Sequence, residues 1–374
     1  MSDTPTLRPL APPTSRPLAP PTLRPLAPRG LMQRLFEPPA VGRMAPATAV
    51  FVYVVLAVWT AFVVFPLYWV FITSFKLPQS VSEGPFYLPF IDFQPSLHAW
   101  NDLIVKDWED TLRAFVNSLV IALGATAIAV MIGSMAAYGL ARIQYRPKFG
   151  AIMLFVLLLL GGVVAAVMTG LDWKIVFAVA FALFVLLLRA LARFFIRTLG
   201  NGDILFWMIS QRILPAIVVI IPVYMMFQSL GLVDTHIGLI LAYAVTNLPI
   251  VVWLMHDFFA GIPLELEESA QLDGASRLFI FWDIVLPLTR PGLAATTLLT
   301  MILCWNEYLL AVFLSTSQAQ TMPILVAAMN AGDRGILWWT MCVVIVVMIV
   351  PVVLMAVLLQ RFIAKGVLTG AVKG

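Results

Sequence analysis

The sequence predicts an all-α integral membrane protein, because its composition and the length of its apolar runs fit no other class. Of its 374 residues, 61% are hydrophobic and 11% are charged, and its mean hydropathy is +0.98. Soluble domains are about 45–50% apolar and about 25% charged, so a water-soluble globule, a disordered chain and a disulfide scaffold are excluded. An outer-membrane barrel is also excluded, since its strands alternate over roughly ten residues. We interpret the net charge of +4 as loop asymmetry rather than nucleic-acid binding.

Residues 1–44 are predicted to be a disordered, Pro-rich cytoplasmic tail. The tail contains a repeat with a period of eight residues, starting at Thr6, Thr14 and Thr22. Pro-rich repeats favour an extended, solvated backbone that cannot build a packed core; a docking motif for another protein is the alternative. The segment lacks the contiguous apolar stretch and the cleavage site of a signal peptide, so we expect the first span to act as an uncleaved signal.

Eight apolar runs are candidates for membrane spans, since about 20 residues at about 1.5 Å each cross about 30 Å of hydrocarbon. They are residues 47–75, 114–141, 149–171, 175–188, 204–228, 237–256, 291–313 and 336–360. The run 175–188 is short, and it spans only if Arg189 snorkels; otherwise it forms a re-entrant pair with its neighbour.

The runs group into three regions, which are two helices with an external loop (45–148), an extra helix pair (149–203) and a core region (204–374) that ends in a cytoplasmic tail. Lys and Arg residues orient the chain, because they concentrate in cytoplasmic loops. With the N-terminus inside, the outer loops carry only Lys76, Lys106, Arg113, Lys174 and Arg334. Both termini are therefore predicted to lie inside.

The inner loop 257–290 carries the pattern of a short helix pair. Pro263 can start a helix whose first turns hold three glutamates, where negative charge suits the macrodipole. Gly274 interrupts this helix, and the spacing of apolar residues predicts a second, amphipathic helix over 275–285. Such a pair, anchored at both ends by membrane helices, could transmit force from a cytoplasmic protein into the spans.

The same loop resembles the coupling-loop signature of ABC importer permeases, in which E-A-A, three residues, G and nine residues precede I-x-L-P. Here the matching residues are Glu268, Ser269, Ala270, Gly274, Ile284, Leu286 and Pro287. Both spacings match, and Ser269 in place of the middle Ala is the one departure. The run LDGAS at 272–276 is similar to the carbohydrate-uptake group.

Further motifs resemble the smaller of the paired permeases of maltose-type sugar importers. They are FVNSL at 115–119, RILP at 212–215, NLP at 247–249, WNEY at 305–308 and the C-terminal run GVLTGAVKG at 366–374. The similarity covers residues 45–148 and 204–374. The repeat tail and the extra pair lie outside it, because the family usually has six spans.

The resemblance implies a type I ABC importer permease fold with six core helices, in the inner membrane of a bacterium. It implies a second homologous permease, a cytoplasmic ATPase dimer and an external solute-binding protein as partners, and a sugar as cargo. ATP and Mg²⁺ would bind to the ATPase, so no cofactor, metal or enzymatic activity is expected on this chain. The tail residues Thr369, Gly370 and Lys373 would contact the ATPase.

Polar residues inside the spans are the candidates for a substrate path. Asn247, Asn306, Glu307 and Tyr243 could contact a sugar, although amides also join helices and aromatic residues are common at membrane interfaces. Arg212 lies within an apolar run, where its charge is costly. It either contacts a partner or the pore, or snorkels from the inner end.

Three alternative functions remain open at this stage. An ABC permease for an amino acid, a peptide or phosphate would share the coupling loop. An ion-coupled secondary transporter would need intramembrane carboxylates or broken helices, and Glu307 is the single deep candidate. A membrane enzyme would need a constellation of catalytic side chains at one depth, which the spans do not contain.

Overall fold

The computed structural model describes residues 31–36, 43–191, 193–329 and 337–371. The chain divides into two compact units, residues 1–68 and 69–374. In the first unit, α1 (Leu31–Phe36) precedes α2 (Pro46–Thr73), whose last turns belong to the second unit. Residues 1–29, which hold the predicted disordered repeat, lie outside the described residues, whereas 31–36 are helical.

The second unit consists of helices joined by turns and by a longer loop over 83–97, with two isolated β-bridges among the residues described. Its first helices are α3 (Pro78–Ser82), α4 (His98–Asp102), α5 (Trp108–Arg142), α6 (Phe149–Thr169), α7 (Trp173–Leu191), α8 (Asn201–Ser210), α9 (Ala216–Ser229) and α10 (His236–Ala260). The remaining helices are α11 (Glu265–Leu272), α12 (Arg277–Phe279), α13 (Leu286–Leu288), α14 (Arg290–Trp305), α15 (Leu309–Leu314), α16 (Met322–Met329) and α17 (Trp338–Ala371).

The helices α2, α5, α6, α7, α10 and α17 are each long and apolar enough to cross a membrane, as predicted. Two further spans are bent pairs: α8 and α9 meet at 90°, and the helical segment Arg277–Leu288 meets α14 at 83°. Within the described residues this gives eight spans if each bent pair counts as one. Setting aside α6 and α7 leaves the six core spans of the predicted fold.

The expectation of a continuous span over 204–228 is wrong. Helix α8 ends at Ser210, a 3₁₀ turn follows over Gln211–Ile213, and α9 begins at Ala216. Pro215 causes the break, because proline has no N–H for the helical ladder and disfavours helix at the residue before it. Leu214 is accordingly extended, with ψ of 126°.

The core of the second unit is the pairing of α5 with α10, against which α14 and α17 also pack. Small residues let the backbones of α5 and α10 approach closely. On α5 these residues include Ala122, Ala125 and Ala129, which are fully buried. A Cβ added at Gly133 would lie 2.6 Å from Val251 Cγ1. Small residues at helix contacts let backbones approach in membranes, where packing drives association.

One end of this pairing is closed by a polar cluster around Asn117, near the start of α5. Its Nδ2 donates to the carbonyl oxygens of Gln318 (2.8 Å) and Gln320 (2.9 Å), and its Oδ1 lies 2.8 Å from His236 Nε2. The start of α5, the start of α10 and the loop 315–321 therefore lie together on one side of the membrane. The loop 261–289 lies on the other, which we call the coupling side.

Asp234 holds the loop 315–321 in place. Its carboxylate accepts hydrogen bonds from the backbone N–H groups of Thr316 (3.0 Å), Gln318 (3.1 Å) and Ala319 (3.0 Å). Burial alone raises the pKa of this carboxyl, but the backbone donors outweigh it and hold the pKa well below its ordinary value. Asp234 is therefore ionised and fixed at physiological pH.

Candidate functional site

The loop between α10 and α14 forms the predicted helix pair, with shifted boundaries. Helix α11 begins at Glu265, two residues after Pro263, and the chain then turns at Gly274 with φ of +86°. The second helix was expected over 275–285. Instead, the helical segment runs over Arg277–Leu288, because the Ser276 side chain caps it by accepting a hydrogen bond from the Phe279 N–H at 3.2 Å.

The signature residues divide into an exposed group and a partly buried group. Glu268, Ser269 and Gly274 are exposed on the α11 side of the turn. The partly buried residues are Ala270, Ile284, Leu286 and Pro287. The first group can meet another protein, whereas Ala270, Ile284 and Leu286 of the second group pack against the hydrophobic core.

Large apolar side chains surround the exposed group. Leu272 is 89% exposed, and Leu278 and Phe279 on the second helix are also exposed. Contiguous exposed apolar residues on a polar loop mark an interaction surface. The arrangement can therefore dock a protein that covers both helices at once.

Glu267, next to the exposed Glu268, is 2% exposed and faces the membrane helices. Its Oε1 lies 2.6 Å from Arg142 Nε, and its Oε2 accepts a hydrogen bond from the Tyr138 hydroxyl at 2.7 Å. Arg142 also donates to the carbonyl oxygen of Ile262 at 3.1 Å. The helix pair is thus tied to the end of α5 as well as joined to α10 and α14.

A cleft of about 460 Å³ lies beside this ion pair, between the end of α5 and the helix pair. Gln144, Gln271 and Arg277 line it together with the two charged residues of the pair. Leu264, Leu278 and Phe281 line it as well, so the lining is mixed, with polar and charged groups beside a larger apolar surface.

Three of the predicted path residues come together in the structure. Asn247 is 4% exposed, and its Nδ2 donates to the carbonyl oxygen of Tyr243 at 2.8 Å and to Cys304 Sγ at 3.4 Å. The Tyr243 hydroxyl donates to the backbone carbonyl oxygen of Glu307 at 3.3 Å. The polar groups of α10 thus meet the end of α14 inside the bundle.

Arg212 joins this cluster from the broken span. Its guanidinium donates a hydrogen bond to Asn247 Oδ1, although the residue itself is exposed. Non-helical backbone at membrane depth occurs where it is covered by protein or lines a water-filled cavity. The structure therefore favours the partner or pore interpretation of Arg212 over simple snorkelling.

The expectation that Glu307 lies deep within a continuous span is wrong. Helix α14 ends at Trp305 and α15 begins at Leu309, and the Glu307 carboxylate accepts a hydrogen bond from the Leu310 N–H at 3.1 Å. Asn306 is exposed, and its side-chain amide donates to the carbonyl oxygen of Ile302 at 2.8 Å. Both side chains satisfy helix ends at this break.

Comparison with known proteins identifies the architecture. Residues 202–369 match the family of inner membrane components of binding-protein-dependent transport systems. An open reading frame of Streptomyces antibioticus, described as an ABC transporter permease, is 34% identical over 168 residues, which are 45% of this chain and 73% of that protein. The chain belongs to this family of ABC transporter permeases.

Two further comparisons extend over most of the permease. The permease protein of a diacetylchitobiose uptake system from Streptomyces coelicolor is 26% identical over 321 residues, which are 85% of this chain and 87% of that protein. The crystal structure of a bacterial ABC transporter involved in the import of the polysaccharide alginate has a TM-score of 0.56 at 18% identity, covering 84% of this chain and 96% of that chain. This likeness confirms the predicted fold.

Sequence reasoning missed Glu267 and Asp234. The sequence-based prediction gave the three glutamates of α11 one role, favourable interaction with the helix macrodipole. Their spacing places Glu265 and Glu268 on one face of the helix and Glu267 on another. Nothing in the sequence marks Asp234, which acts on residues 82 to 85 positions further along the permease chain. Its φ of +58° is visible only in the structure.

The remaining predicted positions lie at the chain end. Thr369 and Gly370 are in the last turn of α17, and their side chains are not described. Lys373 lies outside the described residues. In the part of the permease that the structure covers, no group of three or more His, Cys, Asp or Glu residues could hold a metal ion.

Proposed function

We propose that this permease is one membrane subunit of an ATP-driven importer for a sugar or a sugar derivative. The observation that carries the proposal is the helix pair after α10, which presents Glu268 and Gly274 to solvent while Glu267 ties it to α5. A loop that is exposed on one face and bonded to a membrane helix on the other is suited to pass movement into the spans. The diacetylchitobiose relative supports a sugar as cargo.

In this proposal, partner proteins supply the energy for transport. A cytoplasmic ATPase dimer binds ATP and Mg²⁺, and it docks on this permease through Glu268, Ser269 and the exposed apolar side chains around them. An external binding protein delivers the sugar, and a second, homologous permease completes the path. The present chain itself catalyses no reaction and binds no cofactor.

The proposal orients the permease with both termini in the cytoplasm of a bacterium. The coupling side then faces the ATPase, in agreement with the excess of Lys and Arg in the loops of that side. The tail residues Thr369, Gly370 and Lys373 would extend this contact beyond α17.

Movement of the helix pair acts on two membrane helices in this mechanism. The segment Arg277–Leu288 continues into α14 through the 83° bend, so a rotation of the pair tilts α14 directly. The bonds of Glu267 to Arg142 and Tyr138 carry the same displacement into α5. Since α5 and α10 pack closely, they move together, as in the rigid-body transitions of alternating-access transporters.

The proposed substrate path passes the polar cluster at the two helix breaks. Arg212 presents a cationic donor from the bend between α8 and α9, and it bonds to Asn247 of α10. Asn306 and Glu307 lie at the break after α14, where the Tyr243 hydroxyl of α10 donates to the Glu307 carbonyl oxygen. Hydroxyl groups of a sugar can exchange hydrogen bonds with such groups. A neutral, hydrogen-bonding cargo fits this mixture of polar groups.

Site-specific crosslinking tests the coupling role. Cys304 and Cys342 are both buried, so a cysteine introduced by Ser269→Cys carries most of the reactivity towards a maleimide crosslinker. We expect it to capture an ATPase subunit in membranes that contain the complete importer. Ser82→Cys, exposed on the opposite side, is the matched control and should capture none. Crosslinks from position 269 to lipid alone would overturn the proposal.

Uptake into proteoliposomes tests the energy source and the cargo. A labelled disaccharide should accumulate only with the ATPase, internal ATP and the binding protein present. Transport by this chain alone without nucleotide would contradict the proposal, and uptake of an amino acid in place of the sugar would contradict its choice of cargo.

A further inference from the structure

Helices α6 and α7 form a hairpin that lies outside the residues matching the permease family, since that match begins at residue 202. Both helices are long enough to span, and in neither does the most apolar stretch contain a buried residue. Apart from side chains that pack between the two helices, such as Phe155 against Phe184, their apolar surface is therefore available to lipid. The coupling function proposed above makes no use of this hairpin.

The hairpin joins the rest of the second unit through a short polar collar on the coupling side. Asn201 Nδ2 donates to the carbonyl oxygens of Leu140 (2.6 Å) and Ile143 (2.7 Å), and Asn201 Oδ1 accepts from the Tyr145 N–H at 2.9 Å. An antiparallel bridge then pairs Lys148 with Thr198. Residues 145–148 and 193–199 are thus held together next to the end of α5.

This collar carries a dense group of exposed cations. They are Arg146, Lys148, Arg189, Arg193 and Arg197. From residue 143 to residue 202 the only acidic residue is Asp172, which lies at the opposite end of the hairpin. The nearest carboxylate in sequence beyond it, Asp203, accepts a hydrogen bond from the Gly200 N–H at 2.9 Å.

Exposed apolar side chains lie between two of the cations. Phe194 is 63% exposed and Ile196 is 89% exposed, between Arg193 and Arg197. The guanidinium carbon of Arg193 lies 5.0 Å from the ring centre of Phe194. Exposed aromatic and aliphatic groups beside arginines suit the boundary between headgroups and acyl chains, where the rings enter the apolar layer and the cations stay at its surface.

We infer that this basic collar is a binding site for anionic phospholipid headgroups of the leaflet on the coupling side, with the acyl chains lying against α6 and α7. Charge complementarity selects the occupant, because the four exposed arginines of the collar lie in a stretch whose single acidic residue, Asp172, is at the far end of the hairpin. Such a cluster attracts phosphate diesters with a net negative charge more strongly than zwitterionic headgroups. Basic groups at the ends of membrane helices bind acidic lipids in this way. The hairpin would then anchor the permease in regions rich in anionic lipid, independently of the transport mechanism.

Retention of lipids by the purified full-length chain tests the inference. The protein is held in neutral detergent with equimolar phosphatidylglycerol and phosphatidylcholine of identical acyl chains, and the lipids that remain bound are counted by native mass spectrometry. We expect the wild type to retain phosphatidylglycerol preferentially. The triple variant R189Q/R193Q/R197Q should lose this preference, by about fivefold in affinity for each charge removed.

Two further variants keep the result interpretable. K106Q/R113Q/K174Q removes the same number of cations from the other side and should keep the preference, and R189K/R193K/R197K keeps the charge and should keep most of it. Equal loss in the two glutamine variants would reveal a general charge effect and overturn the inference. No preference in the wild type, or an unchanged preference in R189Q/R193Q/R197Q, would also overturn it.

Discussion

Arg142 and Glu267 form an ion pair that joins the helix pair after α10 to the end of α5, with Nε and Oε1 2.6 Å apart. The two side chains are 13% and 3% exposed, so neither charge is well solvated. The pair lies one residue from the exposed Glu268 of the signature. One carboxylate of α11 thus points towards the membrane helices and the next points towards solvent.

This division predicts opposite behaviour for two adjacent glutamates. Glu267→Ala leaves the Arg142 guanidinium buried without its carboxylate, and removing one partner of a buried pair costs about 3–5 kcal/mol. We expect a lower unfolding temperature in detergent and weaker coupling of ATP hydrolysis to transport. Glu268→Ala, the control, should leave the unfolding temperature unchanged while reducing coupling. Equal stability of the two variants would show that the ion pair has no structural role.

Gly274 is predicted to tolerate no ordinary side chain. Its φ of +86° lies in the left-handed region, and no atom lies within 4 Å of an added Cβ. The penalty therefore comes from the backbone, at about 1–2 kcal/mol for an ordinary L-residue. Gly274→Val should reduce substrate-stimulated ATP hydrolysis of the reconstituted importer severalfold, and Gly274→Asn should reduce it less. Gly261→Ala serves as the control because Gly261 has φ of −76°.

The Asp234 carboxylate is predicted to make stability depend on pH. Its folded pKa lies below the ordinary value of 3.8, so its contribution is complete above that pH and is lost as the pH falls towards the folded pKa. Asp234→Asn should lower the free energy of unfolding at pH 7 by about 1–3 kcal/mol, since hydrogen bonds to a charged acceptor are replaced. The difference between the two proteins should shrink in acid.

Denaturant unfolding at several pH values measures this difference. Asp257→Asn is the control, because the Asp257 side chain is 72% exposed and lies on the coupling side. A stability difference that grew on acidification would contradict the assigned direction of the Asp234 pKa.

The bond between Arg212 and Asn247 is predicted to support transport. Asn247→Leu leaves the guanidinium without this acceptor, at a cost of about 1.5–3 kcal/mol, and should lower the uptake rate about tenfold. Asn247→Asp supplies a charged acceptor and should retain more activity. Measuring uptake over a range of substrate concentrations separates a change in KM from a change in maximal rate. Asn306→Leu, whose amide bonds within its own helix, should have a smaller effect.

The extra hairpin is predicted to be dispensable for transport. Because Lys148 and Thr198 form an antiparallel bridge, an Asn-Gly turn can replace residues 149–197. Asn201 still joins Leu140 and Ile143, so the shortened chain should assemble and transport at a rate near that of the full chain. Loss of transport with assembly intact would show that the hairpin takes part in the mechanism.

The sequence alone determined the class of this permease, its six unbroken spans and the presence of a helix pair between α10 and α14. Hydropathy is a local property, so the apolar runs of α5, α6 and α10 predict membrane helices without knowledge of their neighbours. The signature in the loop 257–290 is equally local, because the fixed spacing from Glu268 to Gly274 and Pro287 lies within one short segment. The extra pair α6–α7 is also predicted from local hydropathy, because it consists of two apolar runs. Two added crossings leave the loop 257–290 on the same side of the membrane.

Only the tertiary structure decided which polar groups meet. The bond between Arg212 and Asn247 spans 35 positions, and that between Arg142 and Glu267 spans 125. These pairings depend on the rotation and depth at which packed helices face each other, which hydropathy does not encode. The breaks after Ser210 and Trp305 also depend on tertiary contacts. Neighbouring helices and side chains satisfy the backbone groups that a straight helix would have bonded internally.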